Sequence, residues 1–113
     1  MVLERIGEDL INNDVQVMMP WEKEYMEFCI EKLNPRGKVL EIGFGLGYSA
    51  TAICSRKDVE EYSVIECAPL IWDEVEKFKT KFPNIKINLI KGRWEDVMYL
   101  AGKFDFAFFD PLN

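Results

Sequence analysis

The residues able to do chemistry begin with Glu41, followed by Gly43, Gly45 and Gly47 in VLEIGFGLG, a glycine at every second position after an apolar run. Glycine has no Cβ, so such a loop turns tightly and lets backbone N–H groups approach a ligand. Taken alone, the loop could be no more than a tight turn between a strand and a helix. Glu66 then closes the next apolar run, SVIE. A carboxylate in that place accepts hydrogen bonds from two ribose hydroxyls. The pair of features implies a nucleoside and fits more than one cofactor. A dinucleotide loop of the form G-x-G-x-x-G would need glycine at position 48, which is Tyr48, and the third glycine comes one place early.

These residues need a frame that brings strand ends together. KVLEI, EYSVIEC, IKINLIKG and FDFAFFD read as strands. YSATAICSRK, PLIWDEVEKFKTKF and WEDVMYLAG between them read as helices. Ile71, Val75, Phe78 and Phe82 form one helical stripe, with Pro69 at its start. The alternation predicts an α/β fold, a parallel sheet with helices flanking it; a Rossmann-like sheet of this kind would set its first four strands in the order 3-2-1-4. The apolar run FDFAFF predicts a strand covered on both faces. In such a sheet ligands lie beyond the carboxyl ends of the strands, where the glycines sit. Ahead of the sheet, PWEKEYMEFCIEKL reads as a helix ended by Asn34-Pro35-Arg36-Gly37, with Trp21, Tyr25, Phe28, Cys29 and Leu33 near one face. Residues 1–19 form a lead segment, in which LERIGEDLI predicts a short amphipathic helix interrupted by Gly7.

Composition removes other classes. The chain has 113 residues, 49% of them hydrophobic, enough for one domain with a real core. Its net charge of −6 argues against general nucleic-acid binding and better suits a cationic ligand. There is no histidine, and Cys29, Cys54 and Cys67 are widely spaced, so neither a zinc site nor a disulfide framework is expected. The cysteines read as small buried residues in a reducing cytoplasm. No apolar run is long enough to span a membrane.

The E-x-G-x-G-x-G loop resembles the first motif of class I S-adenosylmethionine-dependent methyltransferases, whose loop wraps the amino-acid part of a cofactor without phosphate. KGRWEDV after the third strand fits the same family. With VLEIGFG and IEC, and with MMPWEKEYM and FDFAFFDP at either end, the match narrows. Together they resemble guanidinoacetate N-methyltransferase and the arginine δ-N-methyltransferases. The resemblance implies S-adenosyl-L-methionine as cofactor and S-adenosyl-L-homocysteine as product. It implies cofactor contacts from Glu41, Gly43, Phe44, Gly45, Gly47, Glu66, Cys67, Trp94 and Glu95. Glu41 would help to hold the cofactor's ammonium group, directly or through water, and Glu95 would receive the adenine amino group. Trp94 alternatively packs in the core. Glu22 and Asp110 would hold and deprotonate the guanidinium of guanidinoacetate, a related amine or arginine.

Departures are visible. Lys23-Glu24 stands where the family usually has Thr-Pro, Pro111-Leu112 where it has Thr and an aromatic, and Gly47 where the guanidino branch often has alanine. The resemblance covers the cofactor half of a family member, so residues 1–113 are expected to be a single, partial methyltransferase domain. The edge at 104–109 would then be open to self-association. The alternatives are a binding module without turnover and a dinucleotide-binding fragment.

Overall fold

A computed structural model of the protein describes the backbone of residues 3–6, 9–12, 15–18 and 22–109, and the side chains of residues 23–109. The chain opens with three antiparallel strands, β1 (Leu3–Ile6), β2 (Asp9–Asn12) and β3 (Val15–Met18), in the order β1-β2-β3. The helix expected in LERIGEDLI is therefore corrected to a strand pair. Gly7 costs an isolated helix about 1 kcal/mol, and Leu3↔Asn12 through Ile6↔Asp9 pair instead. The alternation of Val15, Gln16 and Val17 suits the third strand.

Helix α1 (Glu22–Leu33) follows and ends at Asn34, which adopts φ 50° and donates its N–H to the Ile30 carbonyl at 2.9 Å. A left-handed residue ahead of a proline is a common helix stop. Its buried face is Met26 and Ile30, whereas Tyr25, Phe28 and Leu33 are exposed. The i, i+4 pair Met26 and Ile30, and not the larger aromatic residues of the expected stripe, meets the core.

The main sheet contains β4 (Gly37–Ile42), β5 (Val59–Glu66), β6 (Lys86–Lys91) and β7 (Phe106–Phe109). Its order is β6-β5-β4-β7 with every pairing parallel, which is the expected 3-2-1-4 arrangement. The crossovers are α2 (Tyr48–Cys54), α3 (Pro69–Lys79), and α4 (Trp94–Val97) continued by a 3₁₀ turn over Met98–Ala101. One core cluster joins Met26 and Ile30 of α1, Ile53 of α2, and Ile71, Val75 and Phe78 of α3 to Val39, Tyr62 and Val64 of the sheet. Ile71, Val75 and Phe78 line the buried face of α3 as expected, whereas α3 ends at Lys79 and Phe82, beyond it, packs partly buried against the same core. On the opposite face Leu40, Ile42 and Ile65 meet Val97, Met98 and Ala101.

Strand β7 departs from the expectation of cover on both faces. Phe106 and Phe108 rest on the main core, while Ala107 and Phe109 are exposed. Its amino end is fastened to β4 by Asp105, which accepts a hydrogen bond from Lys38 N at 2.9 Å and donates its own N–H to Lys38 O at 2.7 Å.

Candidate functional site: the carboxyl ends of β4 and β5

Register brings the site together. Ile42 pairs with Ile65 and Phe109, and Glu66 pairs with Lys91, so the four strands end nearly level. The glycine loop leaves β4 at this rim. Gly43, Gly45 and Gly47 adopt φ 94°, 59° and 81°, values that side chains other than glycine rarely tolerate. A Cβ at Gly47 would stand 2.8 Å from the Phe44 ring, so glycine here permits both the turn and the placing of Phe44. Gly47 is also the N-cap of α2, and its carbonyl accepts from Thr51 N and Thr51 Oγ1 at 2.9 and 2.7 Å.

Phe44 anchors the loop in two ways. Its ring is buried edge-on to Phe78 at 5.3 Å between centroids. Its N–H donates to Glu66 Oε1 at 2.9 Å. Glu66 is 1% exposed, and its Oε2 accepts from Ala68 N at 3.1 Å, at the start of α3. The Glu66 carbonyl accepts from Trp72 Nε1 at 2.8 Å and Gly92 N at 3.1 Å. One residue therefore ties the glycine loop, α3 and the end of β6 to β5. A carboxylate has about four acceptor positions, so these two contacts leave capacity on Glu66 for hydroxyl donors.

Glu41 is fully buried. The Ser49 hydroxyl of α2 donates to its Oε2, and the Tyr62 hydroxyl of β5 donates to its Oε1. Burial first, and then the charge of Glu41, push the Tyr62 hydroxyl well above its usual pKa, so it remains a donor. Burial and Glu41 likewise push the Cys54 thiol up to about 12. Neither Ser49 nor Tyr62 stood out in the sequence. The β4–β5 register supplies the missing signal, because Val39 pairs with Tyr62, which sets Tyr62 diagonal to Glu41 on one face of the sheet.

The structure gathers Glu41, Gly43, Phe44, Gly45, Gly47 and Glu66 tightly, and places the remaining cofactor candidates at the rim. Cys67 follows Glu66 and is exposed, which corrects the expectation that all three cysteines are buried; Cys29 is intermediate and only Cys54 is buried. Trp94 is 40% exposed and meets the Phe109 ring edge-on, with centroids 5.9 Å apart. Glu95 turns to Arg93, whose Nη2 lies 2.8 Å from its Oε2. Its own backbone amide and then Arg93 hold the Glu95 carboxyl below the usual glutamate value. Asp110 and Trp21 lie outside the described residues; Glu22 begins α1, but its side chain lies outside them too. Among the described residues no group of acids and cysteines is placed to hold a metal ion, and no helix is long and apolar enough to cross a membrane.

Comparison with known proteins adds to this geometry. Among curated proteins, the protein arginine N-methyltransferase 2 of Saccharomyces cerevisiae is 33% identical over 104 residues, covering 85% of this chain and 24% of that protein. The enzyme of the same name from Yarrowia lipolytica is 32% identical over 89 residues, covering 73% of this chain and 18% of that protein. The chain thus spans about a quarter or less of the length of these curated relatives. Among solved structures, the SAH-bound methyltransferase PaMTH1 of Podospora anserina superposes with a TM-score of 0.61 at 26% identity, over 83% of this chain and 42% of that one. A protein-L-isoaspartate O-methyltransferase shares the fold, with a TM-score of 0.61 at 16% identity over 96% of this chain and 33% of that one. The family model for guanidinoacetate N-methyltransferase matches residues 8–112, which contain the glycine loop, Glu66 and the Trp94-Glu95 pair. With nearly the whole chain inside that match, the protein belongs to the guanidinoacetate N-methyltransferase family.

Proposed function

We propose that this chain binds S-adenosyl-L-methionine and forms the cofactor-binding part of an N-methyltransferase acting on a guanidino nitrogen, in guanidinoacetate, a related amine or arginine. The observation that carries the reading is the glycine loop fastened to a buried ribose-type acid, Phe44 N to Glu66, inside the family match over residues 8–112. Residues 1–113 are read as one partial methyltransferase domain, with 1–19 as its lead segment.

The residues present fit this cofactor. Gly43, Gly45 and Gly47 carry no Cβ and all adopt positive φ, which leaves their backbone open to close approach by a ligand. Glu41 puts negative charge at the base of the glycine loop, suited to an ammonium group, and Glu66 has acceptor capacity for ribose hydroxyls. Trp94 offers a face to the adenine, Glu95 an acceptor for its amino group, and Cys67 borders the same rim. When bound, the cofactor's sulfonium supplies an activated methyl group.

The acceptor chemistry falls to Glu22 and Asp110. Guanidinium is a planar fork of donors that carboxylates grip in bidentate fashion. Its pKa of about 12.5 or higher leaves little neutral nucleophile at pH 7. A carboxylate beside the attacking nitrogen orients it and takes its proton as the new N–C bond forms. Holding the nitrogen in line with the methyl carbon supplies much of the remaining rate.

Labelled S-adenosyl-L-methionine offered with guanidinoacetate and with arginine tests the reading. Transfer by the wild type that is lost in the Glu22→Gln, Asp110→Asn double variant is the expected result. A folded wild type that transfers no more label than the double variant would contradict catalysis. A second reading is a binding module without turnover, in which the packed glycine loop and Glu66 hold the cofactor. Cofactor binding by calorimetry without transfer would select it. The exposed side of β7, with Phe109 47% accessible, is the proposed surface for any self-association. The free, exposed Cys67 fits a reducing, cytoplasmic setting.

A further inference from the structure

A buried carboxylate in a parallel sheet is costly unless donors meet it. Glu41 is met from two directions, by Ser49 in the first turn of α2 and by Tyr62 on the neighbouring strand. All three residues are nearly inaccessible, at 0%, 3% and 0%. Leucine or valine at 41 and phenylalanine at 62 would fill such a core without polar groups. A network kept where an apolar core would serve needs a purpose, and the one at hand is its position directly before the glycine loop.

We infer that Tyr62 and Ser49 are positioning residues that hold the Glu41 carboxylate oriented at the base of the glycine loop, and that through it they set affinity for the ammonium group at the amino-acid end of the cofactor. This rests on the proposed function. The two hydroxyls act as donors only, because Glu41 takes their protons as hydrogen bonds at both of its oxygens. They fix the rotamer of Glu41, each donating to a different one of its carboxylate oxygens. In such buried surroundings a carboxylate's charge would act strongly on a cation held by the loop. Ser49 also couples the carboxylate to α2, whose N-cap Gly47 is the last glycine of the loop. The nucleoside end depends on Glu66 instead, which has its own donors, Phe44 N and Ala68 N.

The two ends can therefore be separated with two ligands. S-adenosyl-L-homocysteine carries the amino acid; 5′-methylthioadenosine keeps the adenosine and the thioether and lacks it. Calorimetry on the wild type, Tyr62→Phe and Ser49→Ala should show affinity for S-adenosyl-L-homocysteine falling about tenfold in each variant, the scale of one hydrogen bond to a charged group. Affinity for 5′-methylthioadenosine should change by less than about twofold. Equal losses for both ligands would mean a general structural role and overturn the inference, as would no loss for either. Should Tyr62→Phe fail to fold, Ser49→Ala decides. A wild type that binds neither ligand would bring down the proposed function, and the inference with it. A wild type that binds both, with variants that do not discriminate, brings down the inference alone.

Discussion

At the carboxyl ends of β4 and β5, Glu41, Phe44 and Glu66 are 0%, 4% and 1% exposed, each held by named donors or rings. Outside that strand pair, Trp94 at the start of α4 and Phe109 at the end of β7 meet edge-on, with ring centroids 5.9 Å apart, yet remain 40% and 47% exposed. The inner region is organised by the described chain itself. The outer region has its aromatic and acidic groups in place with one side open. The difference teaches that loop, ribose-type acid and their supports form one packed unit, while the rim that would meet adenine and acceptor is assembled from side chains with few partners.

The largest effects should come from breaking the inner region. Leu40 is fully buried between the sheet and the α4 side, so Leu40→Ala should cost about 2–5 kcal/mol in denaturant unfolding. Phe109→Ala, on the exposed strand face, should cost less than about 1 kcal/mol. Similar costs for the two would erase the contrast.

Next is Gly47→Ala. It forces a side chain into φ 81° and sets a Cβ 2.8 Å from the Phe44 ring. A loss of about 1–3 kcal/mol is expected from strain of this kind. Cofactor-product binding should weaken more than in Phe109→Ala, because Phe44 carries the link to Glu66. An unchanged melting temperature would show that the loop is not held as described.

The smallest effect belongs to the rim. The Glu95 carboxyl lies below the usual glutamate value, so the Arg93–Glu95 pair is in place above that range and is lost as pH falls through the lowered pKa. In Arg93→Ala the carboxyl NMR titration of Glu95 should move up towards the ordinary value without reaching it, since its own backbone amide is the larger cause. No movement would mean that Arg93 does not face Glu95 in solution.

These outcomes also bear on what could be read from the chain before its fold was known. The succession of strands and helices, the α3 stripe and the glycine loop were legible because short-range periodicity and a local turn dictate them, and the strand order followed from the fold type that succession implies. The lead segment was not, since Leu3, Ile6 and Leu10 fit a helical period while pairing decides for strands. The buried side of α1 was misjudged because Met26 and Ile30 are smaller than the aromatic residues beside them, and only packing onto the sheet selects them. Within the candidate site, Glu41 and Glu66 stand out in the sequence by position alone. Tyr62 was missed because its pairing with Glu41 arises from register between strands, and Ser49 because it meets Glu41 only once α2 folds back onto β4; no local pattern displays either. The expected catalytic pair remains a proposal resting on family resemblance, with Asp110 and the Glu22 side chain outside the described residues.

The central claim is that the inner region is a cradle for a methyl-donor nucleoside. Titrating the chain with S-adenosyl-L-homocysteine and, separately, with NAD in a calorimeter tests it most directly. Saturable one-to-one binding of S-adenosyl-L-homocysteine, with none of NAD, is the predicted result. A folded chain that binds NAD, or that leaves S-adenosyl-L-homocysteine unbound, would contradict it.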